Sequence, residues 1–379
     1  MFKTLFIFFL IPTSLIAQST ITGEVWNMAN KKALPDASVF LSNASVGSKT
    51  IDDGSFTLQN VKNGQYDLVV SCIGYETYHQ NILVNSADVA LPAIELMPKV
   101  TVLKEVKVRF DPDREKHIQQ FLAEFFGHTD NATACKLLNP EILDVTYEKS
   151  TAKLTAESSD FLIIENVALG YRIKYLLDTF LSDPRAGFLF YAGSSTFEPM
   201  KGTKAQEKKW ARKRTEAYLG SKMHFLRSCI GNRVTDEGFT VRRLIRRPNN
   251  ERPPDSLLTA KIKFFDSTSL NTPYTDSLRY WSAKARLPKY MDELVNTHLN
   301  CLDFIKLTEK KGIYAFGYTD CLMIDYKNSH SSVVTFKEPY AFFDNNGIVL
   351  NPHSDQLEGF WGTQRIAELL PVDYEVPVK

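Results

Sequence analysis

Beyond residue 17 no stretch of this chain approaches eighteen consecutive apolar residues, so no later segment is long enough to cross a bilayer as a helix. Cysteine is scarce. Cys72, Cys135, Cys229, Cys301 and Cys321 are scattered and odd in number, which excludes a disulfide-built scaffold, and no pair has zinc-ribbon spacing. Cys301 and Cys321 fall in apolar runs that read as neighbouring strands, so a bridge between them and two free buried thiols both stay open. Charge of one sign is missing too: a net charge of +1 gives no global pull toward nucleic acid or membrane.

The common catalytic signatures are also absent. Of the seven histidines (His79, His117, His128, His224, His298, His330 and His353), none has a Glu three residues later and none opens an H-E-x-x-H run. A zinc peptidase needs such a set to lower the pKa of a metal-bound water. There is no G-x-S-x-G elbow, no phosphate loop and no dinucleotide fingerprint. Ser150 to Lys153 spells S-T-A-K, but it alternates like a hairpin and has no K-T-G partner, so it reads as a polar β-turn. Asp52 and Asp53 precede Gly54 without the further oxygen ligands a calcium loop requires. A glycosidase-type pair of carboxylates needs only proximity in space, and the sequence gives no sign for or against one. The chain is therefore expected to hold no metal and no cofactor.

What is present is a globular composition, 44% hydrophobic and 23% charged, with room for two or three domains. Lys3, the apolar run Leu5 to Ile11, the break at Pro12, Thr13 and Ser14, and the small Ala17 predict a secretory signal peptide over residues 1–17. No Cys follows it to carry a lipoprotein anchor. The expected location is the periplasm, the outer membrane or the cell surface.

From Ile21 to Pro98 short runs alternate apolar and polar residues, and Asp53-Gly54 and Asn63-Gly64 punctuate them. This predicts a small antiparallel β-sandwich over residues 20–98. Gly23 opens the first strand, Leu34, Pro35, Ala37 and Val39 follow, and Ile51, Asp52, Gly54 and Phe56 form a turn. Gly64, Tyr66 and Leu68, then Ser71, Gly74 and Tyr75, complete the series. In that order these residues resemble the carboxypeptidase-like regulatory domain. The resemblance implies a transthyretin-like (prealbumin-like), Greek-key sandwich without a catalytic centre, added to secreted proteins. Similar modules begin outer-membrane importers, where a short segment like Glu105, Val106 and Val108 follows.

A linker is expected over residues 99–111, and an α+β domain with an antiparallel sheet over 112–379. Ile118, Phe121, Leu122, Phe125 and Phe126 fall at helical spacing, and Gly127 ends them. Lys204 to Ile230 reads as one long basic helix, with Gly220 as a point where it kinks or splits. Arg246 to Pro254 reads as an exposed loop, and from Ala260 onward LTAKIKFF, CLDFIKL, IYAFGY, CLMIDY, SVVTFK and YAFFD read as strands. The stretches NPEILDV, IENVALGYRIKY and AYLGSKMHFLRS are similar to an uncharacterised extension of the same family, which implies architecture only.

One charge feature stands out. Residues 201–252 hold fifteen Lys or Arg against five Asp or Glu. Lys208, Lys209, Arg212, Lys213 and Arg214 cluster on the helix, and Arg242, Arg243, Arg246 and Arg247 follow it. Arginine forks bind both oxygens of a carboxylate or phosphate, so these nine residues are candidates for an anionic glycan, a glycolipid or an acidic envelope protein. Ion pairs to the acidic remainder of the chain are the alternative use. Trp210, and Phe360 with Trp361, read either as core anchors or as sugar-stacking platforms. Three functions stay open: a non-enzymatic adaptor of the cell envelope, a hydrolase of glycan or peptide with its site in the second region, or, from the linker resemblance alone, a structural piece of an outer-membrane import complex.

Overall fold

The computed structural model describes residues 19–99, 112–267 and 275–377. The expected leader, and the expected linker apart from Lys99, lie outside the described residues. The N-terminal part is a sandwich of two four-stranded sheets. One holds β1 (Ser19–Asn27), β4 (Ser55–Val61), β7 (Val89–Ala90) and β8 (Ile94–Leu96), and the other holds β2 (Ser38–Leu41), β3 (Gly47–Lys49), β5 (Gly64–Ser71) and β6 (Tyr78–Val84). Alternation aims Ile21, Val25, Phe56, Leu58, Tyr66, Leu68, Val70 and Ile82 into one core. The sheets are not purely antiparallel, as the alternation alone suggested. β1 pairs with β4 antiparallel but with β7 and β8 parallel. The chain reaches those two strands by a crossover from the opposite sheet, which periodicity does not reveal.

Next come α1 (Arg114–Phe126), β9 (Cys135–Leu137), β10 (Leu143–Glu148), β11 (Lys153–Ser158), β12 (Phe161–Asn166), β13 (Tyr171–Asp183) and β14 (Phe188–Pro199). The strands form an antiparallel sheet in which β13 pairs with β12 and β11 in tandem and with β14 along its length. Phe121 and Phe125 of α1 stack at 4.9 Å and meet Phe180 and Tyr175 edge-on. The expected long basic helix is instead two helices, α2 (Lys204–Tyr218) and α3 (Lys222–Ile230). Gly220 takes a φ of +82°, outside the helical region, and Ser221 then caps α3 by accepting from His224 N–H.

The last part contains β15 (Phe239–Pro248), α4 (Asp255–Ser267), α5 (Thr275–Arg286), β16 (Tyr290–His298), α6 (Cys301–Phe304), β17 (Ile305–Leu307), β18 (Ile313–Phe316), β19 (Cys321–Tyr326), β20 (His330–Phe336), β21 (Ala341–Asp344), β22 (Asp355–Gly359) and α7 (Phe360–Thr363). A five-stranded antiparallel sheet runs β16-β15-β19-β20-β22 and a three-stranded one runs β17-β18-β21. Two strand expectations fail here. LTAKIKFF lies in helix α4, because Leu258, Ile262 and Phe265 share one helical face and the A-K-I-K alternation is incidental. In CLDFIKL the first four residues form α6, started by a reciprocal Asn300–Asp303 cap. Arg246 to Pro248 belong to β15 rather than to a loop. Cys321 contacts Thr335 Oγ1 at 3.2 Å, and Cys301 and Cys321 are both buried free thiols.

The sandwich is docked tightly on the rest. Phe40 and Val69 point away from its own core yet are buried, and Phe40 meets Phe161 edge-on at 5.5 Å. Asn43 N–H donates to Ser195 O at 2.6 Å and Phe197 N–H to Ala44 O at 3.0 Å, so the β2–β3 turn lies along β14. Val372 N–H donates to Asn43 O, and Arg227 donates to the carbonyls of Val372, Tyr374 and Asn346 at 2.6, 2.9 and 2.9 Å.

Candidate functional site

The nine cations read from the sequence do not converge. On α2, Lys208, Lys209 and Arg212 are exposed, and Arg212 and Lys213 pair with Glu216. Arg214 turns inward, donating to Leu169 O and Gly170 O with its guanidinium 3.9 Å above the Tyr171 ring. It holds the β12–β13 turn rather than facing solvent. Trp210 is the anchor of α2: it is buried, donates to Val167 O at 2.9 Å, and lies so close over Gly170 that a Cβ there would come within 2.2 Å of the ring. Trp361 is likewise a core ring, donating to Gly220 O at 2.7 Å. The β15 arginines each meet a carboxylate: Arg242 meets Asp325 at 2.7 Å, Arg243 meets Asp320 at 2.6 Å, and Arg247 meets Glu293 at 3.8 Å. Arg246 bridges Asp292 at 2.8 Å and Glu358 at 2.5 Å.

Of these, Arg246 lines a concave surface. The turn end of the long β13–β14 hairpin faces β22 and the segments beside it. Two cavities, of about 540 and 490 Å³, lie between them and meet at Phe188, Lys337 and Gln356. Together they form one cleft. Its apolar surfaces are aromatic: Phe188 is 38% exposed, Tyr290 is 51% exposed, and Phe190 stacks on His353 at 4.2 Å. Its charged groups are Glu124, Lys222, Arg246, Lys289, Asp320, Lys337, Asp355, Glu358 and Arg365.

Three of the four carboxylates that line the cleft are held by cations; the fourth, Glu124, accepts from Gln120, and its Oε2 is buried without a hydrogen-bond partner among the described residues. Asp355 meets Lys222 at 2.5 Å with both side chains largely buried, Asp320 is bound by Arg243, and Glu358 by Arg246. Next to them, the Arg246 hydrogen bonds hold Asp292 below the usual carboxylate range. A general acid must carry a proton near neutrality, and a general base needs an oxygen facing substrate. These pairs work against both roles. By contrast Lys337 and Arg365 have no ion pair among the described residues. Among those residues no three His, Cys, Asp or Glu lie together to hold a metal.

A third cavity, about 710 Å³, lies where the sandwich meets α3 and the C-terminal segment. It is larger but is the docking seam: Arg227, Asn345, Asn346 and Asp373 line it, and their polar atoms hold the two parts together. His224, at its edge, is pushed down by burial despite the Glu237 carboxylate at 3.3 Å. The cleft was not visible in the sequence. Its lining is spread over more than a hundred residues of chain, and of the nine cations singled out only Arg246 lies in it, with Trp361 at its edge.

Residues 21–108 match the family model of the CarboxypepD_reg-like domain. No curated protein matches the chain. Among solved structures, a cohesin–X-dockerin complex from Acetivibrio cellulolyticus is 19% identical over 21% of this chain and 56% of that one, with a TM-score of 0.19. A group B streptococcus pilus 2b backbone protein is 20% identical over 21% of this chain and 41% of that one, with a TM-score of 0.19. The chain thus spans about half the length of these first matches. A DUF3823 family protein from Bacteroides uniformis is 8% identical over 90% of this chain and 96% of that one, with a TM-score of 0.17. Scores this low say nothing of function. The CarboxypepD_reg-like domain is non-catalytic, in keeping with a binding module.

Proposed function

We propose that this chain is an exported, non-catalytic binding protein of the cell envelope, with a transthyretin-like sandwich as its fixed adaptor and the hairpin–sheet cleft as its binding site. The observation that carries this reading is the pairing of three of the four cleft carboxylates with Lys222, Arg243 and Arg246, beside the exposed rings of Phe188 and Tyr290 and two cations without an ion pair among the described residues. Aromatic faces stack on the apolar faces of sugar rings, and planar polar groups hydrogen-bond hydroxyls. Lys337 and Arg365 add charge that favours an acidic sugar. The ligand class is therefore an acidic glycan.

Titration of the full chain with an oligogalacturonate, followed by calorimetry, tests this. Binding should exceed that of a neutral oligosaccharide of equal length, weaken about tenfold in Lys337→Glu, and leave the oligosaccharide uncut after long incubation. Cleavage that disappears in Glu358→Gln would establish the hydrolase instead. Equal binding of acidic and neutral chains would remove the acidic-glycan assignment.

A further inference from the structure

One acceptor of the cleft has nothing to accept from. Glu124 stands in the last turn of α1 and lines the cleft together with Phe188, Tyr191 and Arg365. Its Oε1 accepts from Gln120 Nε2 at 2.9 Å, while its Oε2 is buried and has no hydrogen-bond partner among the described residues. Two features make this arrangement costly. A buried carboxylate oxygen without a donor gives up its hydration and gains no bond in exchange. The carboxylate also sits at the C-terminal end of a helix, where unsatisfied carbonyls already carry partial negative charge, and the last turn of α1 holds no basic residue to offset it.

The neighbouring cations leave the cost in place. Lys222, in the same cavity, is held by Asp355. Arg365 lies with its stem against Gly127, three residues beyond Glu124, so close that an added Cβ there would come 2.9 Å from Arg365 Cγ. Even so, Oε2 takes no hydrogen bond from Arg365. A cavity that keeps an unsatisfied acceptor and a cation without an ion pair gives up stability for something outside the chain.

We propose that Glu124 is the hydroxyl-reading residue of the cleft: its Oε2 accepts from a ring hydroxyl of the bound sugar, while Arg365 and Lys337 take the sugar's carboxylate. The proposal rests on the acidic-glycan reading of the same cleft and adds which group of the sugar each side chain recognises. The last torsion of a glutamate is soft, so a small turn of the carboxylate brings Oε2 to the cavity that the residue lines while Oε1 keeps Gln120. On a uronic acid the available donors are ring hydroxyls. A second anion at Oε2 would be repelled, and an apolar group would leave the oxygen as unsatisfied as before. Hydrogen bonds to a charged acceptor are the stronger ones, so this single contact weighs on the choice of ligand.

The test titrates the full chain calorimetrically with an oligogalacturonate and with analogues in which one ring hydroxyl at a time is replaced by fluorine, which keeps the size but cannot donate. At least one analogue should bind the parent about tenfold more weakly than the unmodified chain. Glu124→Gln keeps an oxygen for Gln120 and puts an amide N–H in place of Oε2. It should bind the unmodified chain about tenfold more weakly and no longer distinguish that analogue from it. Without ligand its Tm should rise by about 2 °C, because the buried charge is gone. Discrimination among the analogues that survives in Glu124→Gln overturns the proposal. So does a fall in Tm with affinity unchanged, the mark of a structural residue, and so does cleavage of the oligosaccharide that Glu124→Gln abolishes. The two readings fail separately. Discrimination through Glu124 with equal binding of acidic and neutral chains removes the acidic ligand and leaves the role of Glu124 standing. Preference for the acidic chain with no response to fluorine at any position does the reverse, and binding of neither chain removes both.

Discussion

The sandwich and the rest of the chain are built from different side chains. Val, Leu and Ile fill the sandwich core, with Phe56 and Tyr66 as its buried rings. The core beneath α1 is aromatic, with Phe121, Phe125, Phe126, Tyr171, Tyr175, Phe180 and Phe197, and the last core holds Phe225, Phe239, Phe304, Phe316, Phe343 and Trp361. Two twisted sheets stack at a nearly constant separation, which branched aliphatics fill evenly. Helices lying on a sheet leave irregular spaces, which large rings fill. The aliphatic part is thus a regular scaffold, while the aromatic part shapes the hairpin and sheet that flank the cleft. The two meet through the packing of Phe40, Val69 and Val372, through backbone hydrogen bonds, and through segments that one arginine, Arg227, holds in place.

That arginine is where the comparison breaks most easily. Arg227→Ala removes donors to three carbonyls of the segments that meet the sandwich and should cost about 4 kcal/mol, because charged donors to partly buried carbonyls are among the stronger hydrogen bonds. Calorimetry should show one transition in the parent and two in the variant, with the aliphatic sandwich melting apart from the aromatic body. A single transition in both would mean that the parts are coupled by packing alone. A smaller effect, about 3 kcal/mol, is expected for Gly220→Val. The new side chain would sit at a φ of +82° with its Cβ 2.7 Å from Tyr326 Cδ1. Urea melts should show the loss, and limited proteolysis should open the α2–α3 junction. An unchanged midpoint would show that the helix break is not enforced there.

The same contrast explains what the sequence disclosed. The sandwich was legible because each strand is short, alternates and ends at Gly or Asn, so side-chain period and turn chemistry agree. The helix over Arg114–Phe126 and the break at Gly220 were legible for the same reason. Helix α4 was not, since Lys261, Ile262 and Lys263 mimic a strand while the true face recurs at Leu258, Ile262 and Phe265. The seam had a signal that went unread. Val39-Phe40-Leu41 and Leu68-Val69-Val70 are apolar without alternation, the mark of strands buried on both faces, and Phe40 and Val69 are the residues the second region covers. The basic interval misled because charge counts ignore partners: strand pairing brings Asp292, Asp320 and Asp325 to the β15 arginines, and no local window shows that.

The mildest perturbation of the seam is a change of pH. Asp344 is 5% exposed, and its Oδ1 accepts from Asn346 N–H at 3.0 Å and Ile348 N–H at 2.9 Å, holding the turn whose Asn346 amide donates to Gln65 O in the sandwich. Burial raises its pKa from 3.8 to about 6, outweighing the hydrogen bonds that favour the anion. The folded protein therefore binds this proton more tightly than the unfolded chain does. Its contribution to stability is full below pH ~4 and is lost as pH rises through about 6. The full swing is about 3 kcal/mol, so urea midpoints should fall between pH 4.5 and 7. Asp344→Asn keeps an acceptor for both N–H groups and removes the buried charge. It should flatten that fall and raise stability above pH 7, with the sandwich holding more firmly to the aromatic body. A parent midpoint independent of pH over this range, or a variant that keeps the slope, would place the proton on another group and leave the seam's polar turn indifferent to charge.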